Sequence, residues 1–194
     1  MLLKNRSIAA VAIFIASYIL SLLLWIQIKP IYGRLIAVIS SELTAATTDV
    51  EVKESHFGKE NIKVTFTLPY ITYKKGKILR ESIEIEATMG ISSFTFNIPL
   101  TFSLILALFP VIKWKKKNLL EALFILIAVH VFFIYSYFYL HILYSLAKLG
   151  IRPLTSTKQI LWEFLWSFTD NMVIRFEPFL LSIYIWLRNA SKFN

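Results

Sequence analysis

From Ser7 to Ile28 the chain carries no charged side chain and few polar ones. A helix over this stretch rises about 1.5 Å per residue and crosses a hydrocarbon core of roughly 30 Å. Lys4 and Arg6 precede the run; Lys29 and Pro30 close it. It is too long for the apolar core of an ordinary cleaved leader, and no A-x-A-like site follows it closely. It reads as an uncleaved signal anchor, residues 1–30. Lipid is therefore one of the solvents to which the remaining sequence must be matched. Composition agrees: 57% of the residues are hydrophobic and the mean hydropathy is +0.63, high for a soluble domain.

Charge then sets orientation. The net charge of +9 is concentrated beside apolar runs, most densely at Lys113-Trp114-Lys115-Lys116-Lys117. Such placement meets lipid headgroups and fixes topology, and it argues against nucleic acid as a partner. Both Lys4/Arg6 and Lys113–Lys117 mark cytoplasmic ends, so what lies between them is exported. The chain has no cysteine, which excludes disulfides, thiolate metal sites and cysteine nucleophiles.

Residues 31–90 read as an exported α+β domain inserted between the first and second spans. Ile31, Leu35, Ile39 and Leu43 recur at helical spacing, widened by Ile36 and Val38, and predict an amphipathic helix over Ile31–Ala46. Three alternating stretches follow, at Asp49–Ser55, Ile62–Leu68 and Ile83–Ala87, and predict strands with one buried face. Lys74-Lys75-Gly76-Lys77 is a turn signal, and Pro69 marks an edge or a bulge.

Residues 91–194 read as a membrane domain with spans near 91–112, 119–147 and 160–187. The last is the least regular, because Glu163, Asp170, Arg175 and Glu177-Pro178 interrupt it. It is either one polar span, or an interfacial helix to about Asp170 followed by a short span kinked at Pro178. Both place the C-terminus in the cytoplasm, beside Arg188 and Lys192. The expected fold is mainly α-helical, with about four transmembrane helices and one small exported sheet.

The ionisable residues at membrane depth are the candidate site. His130 and His141 share a helix face but lie three turns apart, about 16 Å, too far to bind one ion. Glu163, Asp170 and Glu177, spaced by seven, would align on a continuous helix and read most simply as a wet face. No P-loop, G-x-G-x-x-G, G-x-S-x-G or metal-ligand spacing is present. The sequence therefore predicts no catalytic residue, no metal and no cofactor. It offers instead a partner-binding or intramembrane polar face of His130, His141, Glu163, Asp170 and Arg175.

One stretch carries a resemblance. Phe94-Thr95-Phe96-Asn97-Ile98-Pro99-Leu100-Thr101-Phe102-Ser103-Leu104-Ile105-Leu106-Ala107-Leu108, followed by Lys113–Lys117, resembles the entry to the second span of the exosortase H-associated membrane proteins. Phe176-Glu177-Pro178 before the last apolar run is similar to the same pattern. The resemblance implies a noncatalytic accessory protein of the bacterial inner membrane, partnered by an exosortase-type sorting transpeptidase and by lipid. Two other readings stay open on the residues alone: a small transporter or channel subunit, and a membrane-bound hydrolase with a dispersed site.

Overall fold

A computed structural model describes residues 2–74, 77–112, 115–153 and 155–190. Lys75 and Gly76 of the expected turn, Lys113 and Trp114 of the basic cluster, and Lys192 lie outside the described residues. The element order is α1 (Leu2–Thr47), β1 (Glu51–Phe57), β2 (Asn61–Lys74), β3 (Lys77–Gly90), α2 (Ser92–Thr95), α3 (Ile98–Ala107), α4 (Lys116–Lys148), α5 (Ser156–Phe168), a π-helical segment (Thr169–Ile174) and α6 (Arg175–Ala190). Two of these helices are long and apolar enough to cross a membrane, within Ile8–Thr47 and Lys116–Lys148.

The chain forms two compact units. A helical unit holds Met1–Lys29, Phe94–His130 and Thr169–Asn194; a sheet unit holds Pro30–Ser93 and Val131–Phe168. The division cuts through α1 and α4, so each long helix contributes to both.

In the sheet unit three antiparallel strands lie in the order β1-β2-β3. Ile62, Val64, Phe66 and Leu68 of β2 and Ile85, Ala87 and Met89 of β3 are buried, as period-two alternation requires. The edge of the Phe66 ring meets Phe138 of α4 at 5.4 Å between centroids. The opposite face carries Lys63–Glu86 at 2.9 Å and a Lys53–Glu84 pair. β1 has its bulge between Val52 and Glu54, and its pairing with β2 begins at Glu51↔Thr67. Pro69 therefore lies past the end of β1, paired only with Ser82 of β3. There β2 has become an edge strand, and a missing N–H costs no ladder bond on the open side.

α1 differs from expectation in two ways. It runs through Pro30 without ending, although proline removes one intrahelical hydrogen bond. Packing beyond Pro30 holds it: Gly33 lies so close to Ile91 that a Cβ there would sit 2.8 Å from its side chain. Its buried face is also not the predicted stripe. Ile31, Leu35, Ile39 and Leu43 are all exposed, whereas Ile36, Ala37, Ser40, Ser41 and Thr44 are buried. Ser40 Oγ donates to the Val131 carbonyl at 3.1 Å. Small and hydroxyl side chains let backbones approach closely and supply hydrogen bonds between them.

The stretch expected as a span at 91–112 is two pieces. Pro99 lies in the first turn of α3, Asn97 stands at its N-cap position without a side-chain capping bond, and α3 spans ten residues, about 15 Å. α4 ends in a Schellman motif: Gly150, at φ +70°, donates to Ala147 and Ile151 to Leu146, each at 3.0 Å. Arg152 then pairs with Asp49.

Candidate functional site

In the helical unit the first half of α4 runs antiparallel to α6, and polar contacts mark its register. Asn118 Nδ2 donates to Asn189 Oδ1 at 3.1 Å. Glu121 accepts from the Tyr184 hydroxyl at 2.8 Å and from Arg188 at 2.9 Å. Twelve positions along each helix from the asparagine pair, His130 Nε2 lies 3.1 Å from Glu177 Oε2. Twelve helical residues rise about 18 Å, so polar contacts close both ends of an apolar helix pair.

The His130–Glu177 end is the candidate site. His130 is 0% and Glu177 2% exposed. Asn97, also buried, donates through Nδ2 to Glu177 Oε2 at 2.5 Å and to the Ile174 carbonyl at 2.8 Å. The second bond has a local cause. In an α-helix the carbonyl of residue 174 takes the amide of residue 178, and Pro178 has none. The proline frees the acceptor, and the cap residue of α3 fills it. Phe94 meets the His130 ring edge-on at 5.8 Å. Asn97 Oδ1 and Glu177 Oε1 are buried without a hydrogen bond among the described residues. The cluster can fix a helix register and hold a proton between a carboxylate and an imidazole. Among the described residues no group of three His, Cys, Asp or Glu side chains could hold a metal.

The other predicted residues fall elsewhere. His141 belongs to the sheet unit, and its Nε2 donates to the Glu86 carbonyl at 2.9 Å. One turn earlier the Tyr137 hydroxyl donates to the Thr88 carbonyl, also at 2.9 Å. Four helical residues rise about 6 Å and two strand residues about 6.6 Å. The two spacings match, and α4 thereby engages two successive carbonyls on one side of β3, near its end. Glu163 of α5 accepts from the Tyr144 hydroxyl and from Gln159 Nε2, the latter at 2.8 Å. Asp170 is half-buried on the π-helical segment and Arg175 is exposed at the start of α6; neither has a hydrogen bond or ion pair among the described residues.

The five predicted residues are therefore not one face. The structure brings His130 to Glu177 and Asn97 and assigns His141 and Glu163 to the other unit. Glu177 is not on a wet face. The seven-residue spacing aligns Glu163, Asp170 and Glu177 only on an unbroken α-helix, and Thr169–Ile174 is π-helical. The local signals nearby are Pro178, directly after Glu177, and Pro99, two residues after Asn97.

Outward faces complete the picture. Ile160, Leu161, Phe164 and Phe168 of α5 and Phe176, Phe179, Leu180 and Ile183 of α6 are exposed, while Asn97, His130, Glu177 and Ser40 are buried. Large apolar residues outside and polar ones inside define a protein built for a bilayer. The sequence model of the exosortase H-associated membrane protein family matches residues 5–192, and the chain belongs to that family. The family name associates it with an exosortase system in an accessory membrane role. No curated protein and no solved structure gave a match.

Proposed function

We propose that this chain is a noncatalytic subunit of the bacterial inner membrane that binds an exosortase-type sorting enzyme through the helical unit. The observation that carries this reading is Arg175. It is exposed, about one helical turn from the exposed Met172 and Phe179, with no ion pair among the described residues. A guanidinium on an apolar face is costly unless it is paired or wet, and a carboxylate on a partner's membrane helix would pair it. Asp170, five residues away, offers the opposite charge to the same partner.

The topology belongs to this reading. Both termini are cytoplasmic, residues 31–90 are extracytoplasmic, and the membrane surrounds the helical unit. Reporter fusions at Lys59 should then read outside, and those at Lys116 and after Asn194 inside. The assembly test is co-purification with the exosortase-type enzyme. Arg175→Glu and Arg175→Ala should accumulate normally yet recover about tenfold less partner. Undiminished recovery with both variants would remove Arg175 from the interface. The transporter reading has less support: His130, the ionisable group it most needs, is fully buried, in a different unit from His141 and Glu163.

A further inference from the structure

A cleft in the sheet unit is used by none of this. It is lined by Tyr137, Leu140, His141 and Tyr144 of α4 and by Trp166 of α5, and offers about 110 Å³ in an open cleft. An engineered closed cavity of roughly 150 Å³ takes a benzene ring, so a group of about that size seats here with part of its surface left outside. Four of its five lining residues carry rings. Tyr137 stacks on His141 at 5.9 Å between centroids and lies 6.4 Å from Trp166 at 43°. The ring quadrupole presents negative charge from each face, and a cation within about 6 Å of a ring centroid is attracted to it.

A full charge stands one hydrogen bond away. The Tyr144 hydroxyl, on the cleft wall, donates to Glu163, and Gln159 holds the same carboxylate oxygen. No Lys or Arg pairs with Glu163 among the described residues. Arg152, a cation of the segment that joins α4 to α5, is engaged with Asp49. The cleft thus combines aromatic walls, a volume of a few heavy atoms and an unneutralised carboxylate at its rim.

We propose that this cleft binds the quaternary ammonium group of a small organic cation, free or as a lipid headgroup. The ring faces of Tyr137, Tyr144 and Trp166 enclose the methyl groups, and Glu163 balances the charge. An uncharged carbon isostere fills the same volume without the electrostatic attraction, which separates a cation site from a hydrophobic hole.

The test is titration of the purified full chain in a neutral detergent with choline and with 3,3-dimethyl-1-butanol, its uncharged isostere, followed by tryptophan fluorescence and calorimetry. Choline should bind at least about tenfold more tightly, a difference of ~1.4 kcal/mol. Glu163→Gln keeps an acceptor for Tyr144 and removes the charge; Trp166→Leu keeps the bulk and removes a ring. Each should weaken choline about tenfold and leave the alcohol unchanged. Should Trp166→Leu fail to fold, Glu163→Gln decides alone. Equal affinity for choline and alcohol, no saturable choline binding, or full choline affinity in Glu163→Gln overturns the proposal. Repeating the titration in phosphatidylcholine and phosphatidylglycerol nanodiscs identifies the source. Choline excluded only by phosphatidylcholine points to a headgroup, and equal binding in both points to a free cation.

Discussion

Asn97→Ala should destabilise the chain, and Pro178→Ala should partly rescue it. The first substitution strips the Ile174 carbonyl of its donor and takes one of two donors from Glu177 Oε2. Interhelical hydrogen bonds in membranes average about 0.6 kcal/mol, and stranding a buried acceptor costs about 1–3 kcal/mol. The loss should therefore be about 2 kcal/mol. Pro178→Ala restores an amide at position 178, which can donate to the Ile174 carbonyl from within the helix. The double variant should then be more stable than the two single effects predict, by about 1 kcal/mol. Reversible unfolding in mixed micelles of the four proteins in the cycle measures this coupling directly. Its sign is independent of whatever proline does to the helix alone, because that effect cancels. Strict additivity, within about 0.3 kcal/mol, would refute the claim that Pro178 creates the acceptor Asn97 fills.

The sheet unit is open to similar tests. Phe66→Ala, at a fully buried site, should cost about 3–5 kcal/mol, whereas Thr88→Asp, exposed on β3, should stay within about 0.5 kcal/mol; denaturant titration separates them. His141→Phe keeps a ring beside Tyr137 but loses the bond to Glu86, and should cost about 1 kcal/mol, with earlier hydrogen exchange along β3. The hydrogen bond from Lys53 to Glu84, and then the charge of that carboxylate, hold the lysine above its ordinary 10.5. A raised folded-state value means the contribution is complete below 10.5 and is lost as pH rises through the folded value. Lys53→Met should therefore flatten the alkaline limb of a stability–pH profile, and an unchanged limb would show that the pair contributes nothing.

The strands were legible because alternation is a local signal: Val64, Phe66, Ile85 and Ala87 are buried as their parity demands. The parity rule fails at Thr65, which is buried on the other face of the central strand. The helix over 31–46 was legible as a helix but not in its orientation. The apolar stripe Ile31–Leu35–Ile39–Leu43 stays exposed, because close packing at Gly33, Ala37 and Ser40 against residues distant in sequence decides which face turns inward. Pro30 reads as a stop, yet contacts distant in sequence, such as Gly33 with Ile91, override it. The buried cluster was the least legible part. His130 stood out as an ionisable group in an apolar run, but its partners come from residues 97 and 177, and nothing local joins those three positions. Pro178, next to Glu177, was visible; its effect, a carbonyl at Ile174 filled by Asn97, needs the assembled helices.

The engagement of two β3 carbonyls by Tyr137 and His141 bears on how copies of this chain can polymerise. Continuous growth through sheets requires two open margins on every copy, one to receive a neighbour and one to offer itself to the next. Here the carbonyls of Glu86 and Thr88 are already spent on α4, so the protein's own helix occupies one end of that margin. The other outer strand, β1, carries a bulge and the charges of Glu51, Lys53 and Glu54. Strand addition at that end of β3 would first have to displace Tyr137 and His141, so a neighbouring copy would meet resistance there that an unoccupied edge does not offer.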